Sequence, residues 1–200
     1  MQSSRNDRLA RVISEFLTPP FFLIVVVSIL LTTISGPISA KILWWAILVI
    51  GPAVLPVSFV VWLFKKGKVT GLHLPIRQER TVPYLFTLLC ITATILLLKA
   101  SEAPAILLVL MLAYWVNAFF LLVINLSWKI SAHAVGVACP LVVLSCKLGI
   151  LALPLFVLVP VVAWSRWQLR AHTFAEVFIG SVAGLVITYF QLVYVLPMLR

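Results

Sequence analysis

Three short stretches of this chain carry residue types that can handle a phosphate group. Ser165, Arg166, His172 and Glu176 lie together between two apolar runs; Lys129, Ser131, Ala132 and His133 stand at the start of another; Arg77 and Arg80 precede a third. Arginine forks match phosphate oxygens two at a time, and the first-turn amides of a helix make a preformed anion site. His133 and His172 each stand at the mouth of an apolar run, so both can face one phosphate. One histidine can then attack phosphorus while the other protonates the leaving alkoxide. Glu176 follows His172 by four residues, one helical turn along the same face. From there it can accept from the imidazole, fix its tautomer and offset its developing positive charge. Ionisable groups at a membrane boundary are by default a functional-site hypothesis.

The acids are too few for the usual metal-assisted alternatives. The chain has five, Asp7, Glu15, Glu79, Glu102 and Glu176, whereas magnesium or calcium wants several oxygen ligands. Only Glu176 and Glu79 lie within reach of the cluster, so no metal and no cofactor are expected. This argues against membrane prenyltransferases and alcohol phosphotransferases, whose paired aspartates hold magnesium. Cys90, Cys139 and Cys146 fall within apolar runs, where cysteine acts as a small hydrophobe, and they form no disulfide framework or zinc spacing.

The elements that must position these residues are membrane helices. With 64% hydrophobic and 10% charged residues and a mean hydropathy of +1.20, the chain has several apolar runs able to cross a hydrocarbon core of about 30 Å. The runs are continuous and do not alternate, which excludes a transmembrane barrel. The expected fold is an all-α polytopic bundle of six to seven spans, at 16–34, 41–64, 84–98, 104–125, 133–150, 151–164 and 174–197. Gly149 and Pro154 mark either a tight turn between two short helices or a kink within one. The whole chain, 1–200, reads as a single membrane domain, with 1–15 a retained basic cytoplasmic tail.

Two short helices at 133–164 put every motif on one face. Eleven of the fifteen Lys and Arg then share that face, against Lys41, Lys99, Lys147 and Arg200 opposite. Setting aside Arg77, Arg80, Lys129 and Arg166 as ligands leaves seven against four, and the positive-inside rule places the face in the cytoplasm. Lys65, Lys66 and Lys68 read as interfacial anchors on anionic headgroups.

The residues resemble the type 2 phosphatidic acid phosphatase superfamily. Its third motif is Ser-Arg, five residues, His, three residues, Asp, to which Ser165-Arg166, His172 and Glu176 are similar with Glu for Asp. Its second, Pro-Ser-Gly-His, resembles Ile130-Ser131-Ala132-His133. Its first, Lys, six residues, Arg-Pro, is matched at Arg80 with a nearby Pro83, and His73 stands where the family has lysine. The resemblance covers 70–190 and implies the family's helical core. It implies His172 as the nucleophile forming a phosphohistidine, Glu176 as its orienting partner, and His133 as general acid and later base. Arg80, Arg166 and either Lys129 or Arg77 would clamp the phosphate, with Ser165 in the motif and Ser131 and the Ala132 amide donating to its oxygens.

Simpler roles exist for several of these residues. Thr173 to Glu176 is a capping-box pattern, Ser131 a ready N-cap, His73 a loop residue, and Arg170 an anchor that snorkels to headgroups. Gly180 and Gly184 form a small-xxx-small pair for close helix approach. Asn117 and Asn125 either bond a neighbouring helix or line a polar cleft. The expected activity is metal-independent removal of phosphate from a membrane lipid: phosphatidate, phosphatidylglycerol phosphate, or an isoprenoid phosphate or diphosphate. The expected setting is a cell membrane of prokaryotic type, with membrane lipids and no nucleic acid as partners. The alternatives are a non-catalytic protein that binds or moves anionic lipid, and a lipid phosphotransferase using the same site.

Overall fold

A computed structural model describes residues 5–199. The first four residues of the expected tail, and Arg200, counted above on the face opposite the motifs, lie outside the described residues. All regular elements among the described residues are helical: α1 Arg5–Phe16, α2 Pro19–Thr32, α3 Ile38–Val49, α4 Leu55–Lys65, α5 Thr81–Ala100, α6 Ala105–Asn125, α7 Ala132–Leu148, α8 Leu158–Gln168 and α9 Phe174–Tyr194, with short 3₁₀ or π segments between or beside them. Five helical stretches are long and apolar enough to cross a membrane, or six if the bent pair α1 and α2 counts as one. The protein is an integral membrane protein by that measure.

The segment read as a polar tail forms helix α1 from Arg5, bent by 55° from α2. Thr18 is extended ahead of Pro19 and Pro20, which open α2; a residue before proline avoids helical backbone, and proline is at ease in a first turn. Helix α1 has three faces. Ala10 and Ser14 are buried, Leu9, Val12 and Phe16 are exposed apolar residues, and Arg8, Arg11 and Glu15 form an exposed polar edge. Phe16 meets Phe21 of α2 edge-on at 5.9 Å, so the exposed apolar stripe continues onto the outer surface of α2.

Between α3 and α4 the helix widens into a π turn, Ile50–Val54, around Gly51 and Pro52. Proline lacks the N–H that a regular turn needs there, and a π turn absorbs the mismatch.

The stretch Ala132–Gln168 is helical almost throughout, and a straight helix of that length would be about 55 Å long. Its flanks nonetheless meet, for Lys129 Nζ donates to the Ala171 carbonyl at 2.7 Å. The chain therefore doubles back. It does so at Gly149, whose φ of +55° suits a residue without Cβ, and returns through a 3₁₀ segment, Gly149–Val157, into α8. This hairpin, one of the two arrangements left open above, carries the second and third motifs to one end of the bundle.

Candidate functional site

The third motif is organised by one short turn. Helix α8 ends with Arg170 in left-handed backbone, φ +52°, where the Arg170 amide donates to Trp167 and the Ala171 amide to Arg166. This is the Schellman arrangement, which normally has glycine at the left-handed position. The Arg166 carbonyl also accepts from the His172 amide at 3.3 Å. Thr173 then caps α9 with a reciprocal capping box to Glu176. The spacing from Arg166 to His172 to Glu176 is thus a helix end, a tight reversal and a helix start.

Glu176 holds both roles weighed for it. Its Oε2 accepts from His172 Nδ1 at 2.7 Å and from the Thr173 amide at 3.3 Å, so the cap and the imidazole share one oxygen. The three ionisable side chains are nearly sealed: Arg166 is 5% exposed, His172 6% and Glu176 8%. Arg166 Nη1 donates to Ser14 Oγ at 2.6 Å, while its Nε is buried with no partner among the described residues.

The second motif is brought alongside by the contact between α7 and α9. A Cβ on Gly180 would come within 2.9 Å of the Ser131 carbonyl, and one on Gly184 within 2.9 Å of Ala138 Cβ, so only glycine permits this approach. It lets the Ser131 amide donate to the Glu176 carbonyl at 3.3 Å, tying the two motifs by their backbones. Ser131 Oγ caps α7 by accepting from the Ala134 amide. His133 lies in the first turn of α7 and its buried Nε2 has no partner among the described residues.

The first-motif arginines part ways. Arg80 is buried and donates through Nε to Leu74 O and through Nη1 to Ile130 O. Arg77 instead clasps the end of α6: it donates to the Asn125 carbonyl, and Asn125 Nδ2 donates back to the Arg77 carbonyl. That is a docking contact between the loop and the end of α6.

Three adjoining cavities converge on the remaining residues. A cleft of about 450 Å³ has His133, His172, Arg80, Arg166, His73 and Ala132 at its mouth and runs between α2, the π turn, α5, α6 and α7, along Leu23, Pro52, Ile91 and Leu121. A vestibule of about 330 Å³ shares Arg80, Arg166 and His73 with it and adds Arg11, Ser14, Glu15, Lys129 and Arg170. A third, of about 370 Å³, is lined by Lys129, Arg170, His172 and Glu176. Of the residues expected to bind phosphate, Arg77, Ser131 and Ser165 line none of these three cavities; Ser165 Oγ is turned back onto the Val162 carbonyl.

Sequence reasoning gave no site role to Ser14 or Glu15 and read His73 as a loop residue. His73 Nε2 lies 3.0 Å from Glu15 Oε1, and its ring faces that of His133 at 6.5 Å. The available signal was the period of α1: small or polar residues at 10 and 14 against apolar residues at 9, 12 and 16 give a helix with one face docked and another in lipid.

Electrostatics favour the neutral form of His172. Burial, then the charges of Arg80, Lys129 and Arg166, push His172 down to about 3. With Nδ1 donating to Glu176, the neutral ring has its Nε2 lone pair free. Lys129 is drawn below its ordinary value first by burial and next by Arg80, with Glu176 opposing. No group of three or more His, Cys, Asp and Glu with metal-site geometry occurs among the described residues.

No family model, curated protein or solved structure matches this chain.

Proposed function

We propose that this protein is a lipid phosphate phosphohydrolase with the helical core of the type 2 phosphatidic acid phosphatase superfamily, working without a metal through a phosphohistidine. One observation carries the reading: three histidines, His133 and His172 among them, and two arginines line a single cleft that continues between apolar helices. A phosphate seated there leaves its acyl or prenyl chain among apolar walls, reached laterally from the leaflet, while Arg80 and Arg166 take its oxygens. His172 Nε2 attacks phosphorus, the bond to the lipid oxygen breaks, and His133 gives that oxygen a proton. His133 then takes a proton from water, whose oxygen attacks the phosphohistidine and releases phosphate and His172. Glu176 holds the His172 tautomer and balances its charge in both steps. Lys129 adds positive potential beside Arg80. The excess of Lys and Arg on this face supports a cytoplasmic orientation.

A binding or carrier role has its own support, because Arg77 and Ser131 are committed to structural contacts and so leave a sparer clamp. The two readings separate in one experiment: phosphate release by detergent-purified protein from a panel of lipid phosphates, with EDTA present, beside the His172→Ala variant. The phosphatase reading expects release that survives EDTA and is lost in the variant. Absence of release from every lipid by folded protein sinks it.

A further inference from the structure

Building on the reading of the cleft as a lipid phosphate site, we propose that its deep end is a second recognition subsite. There Asn117 Oδ1 accepts a hydrogen bond from a hydroxyl or amide N–H carried on the apolar body of the lipid.

Asn117 lies on the cleft wall and is 2% exposed. Its amide orientation is fixed by what surrounds it. One Asn117 Nδ2 hydrogen goes to the Ala113 carbonyl at 2.9 Å, a group that can only accept, so nitrogen and not oxygen must face it. The other goes to Thr188 Oγ1 at 3.2 Å. Both hydrogens of the Asn117 amide are thus committed to acceptors. Asn117 Oδ1 is left buried with no partner among the described residues.

A second oxygen points to the same need. Tyr114, three residues earlier and on the same face of α6, also lines the cleft and gives its hydroxyl hydrogen to the Gly136 carbonyl at 3.3 Å. Its oxygen then offers only acceptor capacity. Two acceptors one turn apart, in a wall shared with Ile91, Ala118 and Leu121, call for a donor from the ligand. Buried polar groups in native proteins are rarely left unmatched.

The depth of the subsite sets where that donor must be. Asn117 precedes Asn125, the end of α6 on the site's face, by about 12 Å of helix rise. Cys139, also on the cleft wall, lies about 9 Å below His133 along α7 by the same rise. The donor therefore sits roughly 9–12 Å from the phosphate, beyond the headgroup. A plain acyl ester or an isoprenoid chain has no donor there; a chain that carries a hydroxyl or an amide N–H partway along its length does.

The test uses non-hydrolysable lipid phosphonates of matched length: a plain ester, one with a hydroxyl partway along the chain, and one with an amide at the same depth. Their affinities for the full-length protein in detergent are measured by calorimetry, beside Asn117→Leu and, as a smaller variant, Asn117→Ala. The expected result is binding at least about tenfold tighter for one donor-bearing lipid than for the plain ester. That preference disappears in either variant, and whichever lipid gains identifies the donor. The wild-type comparison stands even where a variant fails to fold. Equal affinity for all three lipids overturns the subsite alone, with a water or nothing on Asn117. Failure of every phosphonate to bind overturns the phosphate-site reading and the subsite with it. Because binding needs no turnover, an absence of catalysis is read separately.

Discussion

The segment 165–176 and the loop 66–80 both deliver cations towards one cleft, yet by opposite routes. In the first, His172, Glu176 and the backbone of Arg166 are set by bonds within a dozen residues: the Schellman turn, the capping box and the shared Glu176 oxygen. In the second, no local pattern decides which arginine reaches the site. Arg80 arrives because its guanidinium is drawn to Leu74 and Ile130, the latter fifty residues away. Arg77 is lost to the site because Asn125 takes it. A functional group encoded by local geometry survives changes around it, whereas one placed by distant partners can be traded for a structural contact.

The largest expected effect tests whether the local segment is more than a helix cap. Glu176→Gln keeps a side-chain oxygen for the Thr173 amide, since Gln serves a capping box as well as Glu, but removes the charge beside His172. Phosphate release is expected to fall roughly 10²–10⁴-fold with the melting temperature nearly unchanged. Unchanged turnover would reduce Glu176 to a cap and erase the contrast between the segments.

Acid should expose the same segment. His172 titrates near 3 in the folded protein and at about 6.5 when unfolded. Its folded pKa is the lower, so below pH 6.5 the unfolded chain binds the proton that the folded one refuses. Stability from this group is intact above 6.5 and declines towards pH 3, by up to about 1.4 kcal/mol per pH unit. Melting temperatures of wild type and His172→Gln in detergent, taken from pH 7 to pH 4, should diverge in that direction. Parallel curves would mean that His172 is charged or solvated.

The distant segment is tested by Arg77→Ala. It should cost about 1–3 kcal/mol of stability through the lost clasp with Asn125, read as a lower melting temperature, with turnover of the surviving folded protein within about threefold of wild type. A loss of turnover as large as that from Arg80→Ala would place Arg77 on the phosphate after all. The smallest effect is expected at Arg170→Gly, which relieves left-handed backbone at the end of α8 and should stabilise the turn by about 1 kcal/mol. A loss of stability there would show that the Arg170 side chain does more than line the vestibule.

Much of the fold was legible because apolar runs of membrane length have one satisfactory backbone state in hydrocarbon, the helix. The third motif was legible for the same kind of reason: its spacing coincides with a helix end and a helix start. Gly180 and Gly184, read as a packing pair, meet α7 as that pattern suggests. Helix α1 was not legible as part of the site, since its role depends on Ser14 meeting Arg166, more than 150 residues on. Asn117 and Asn125 have the same side chain and sit on the same helix, yet one lines the cleft and the other clasps Arg77.

By itself, the sequence determined the class of structure, the chemistry available at its polar edge, and the local geometry of Arg166, His172 and Glu176, because hydrophobic length, side-chain type and capping act within a turn or two of chain. Only the tertiary structure decided which cations share the cleft, that α1 forms part of the vestibule beside it, and where an unpaired acceptor stands within it. Those outcomes depend on which helices pack together, and packing is settled by the shapes of surfaces far apart in sequence.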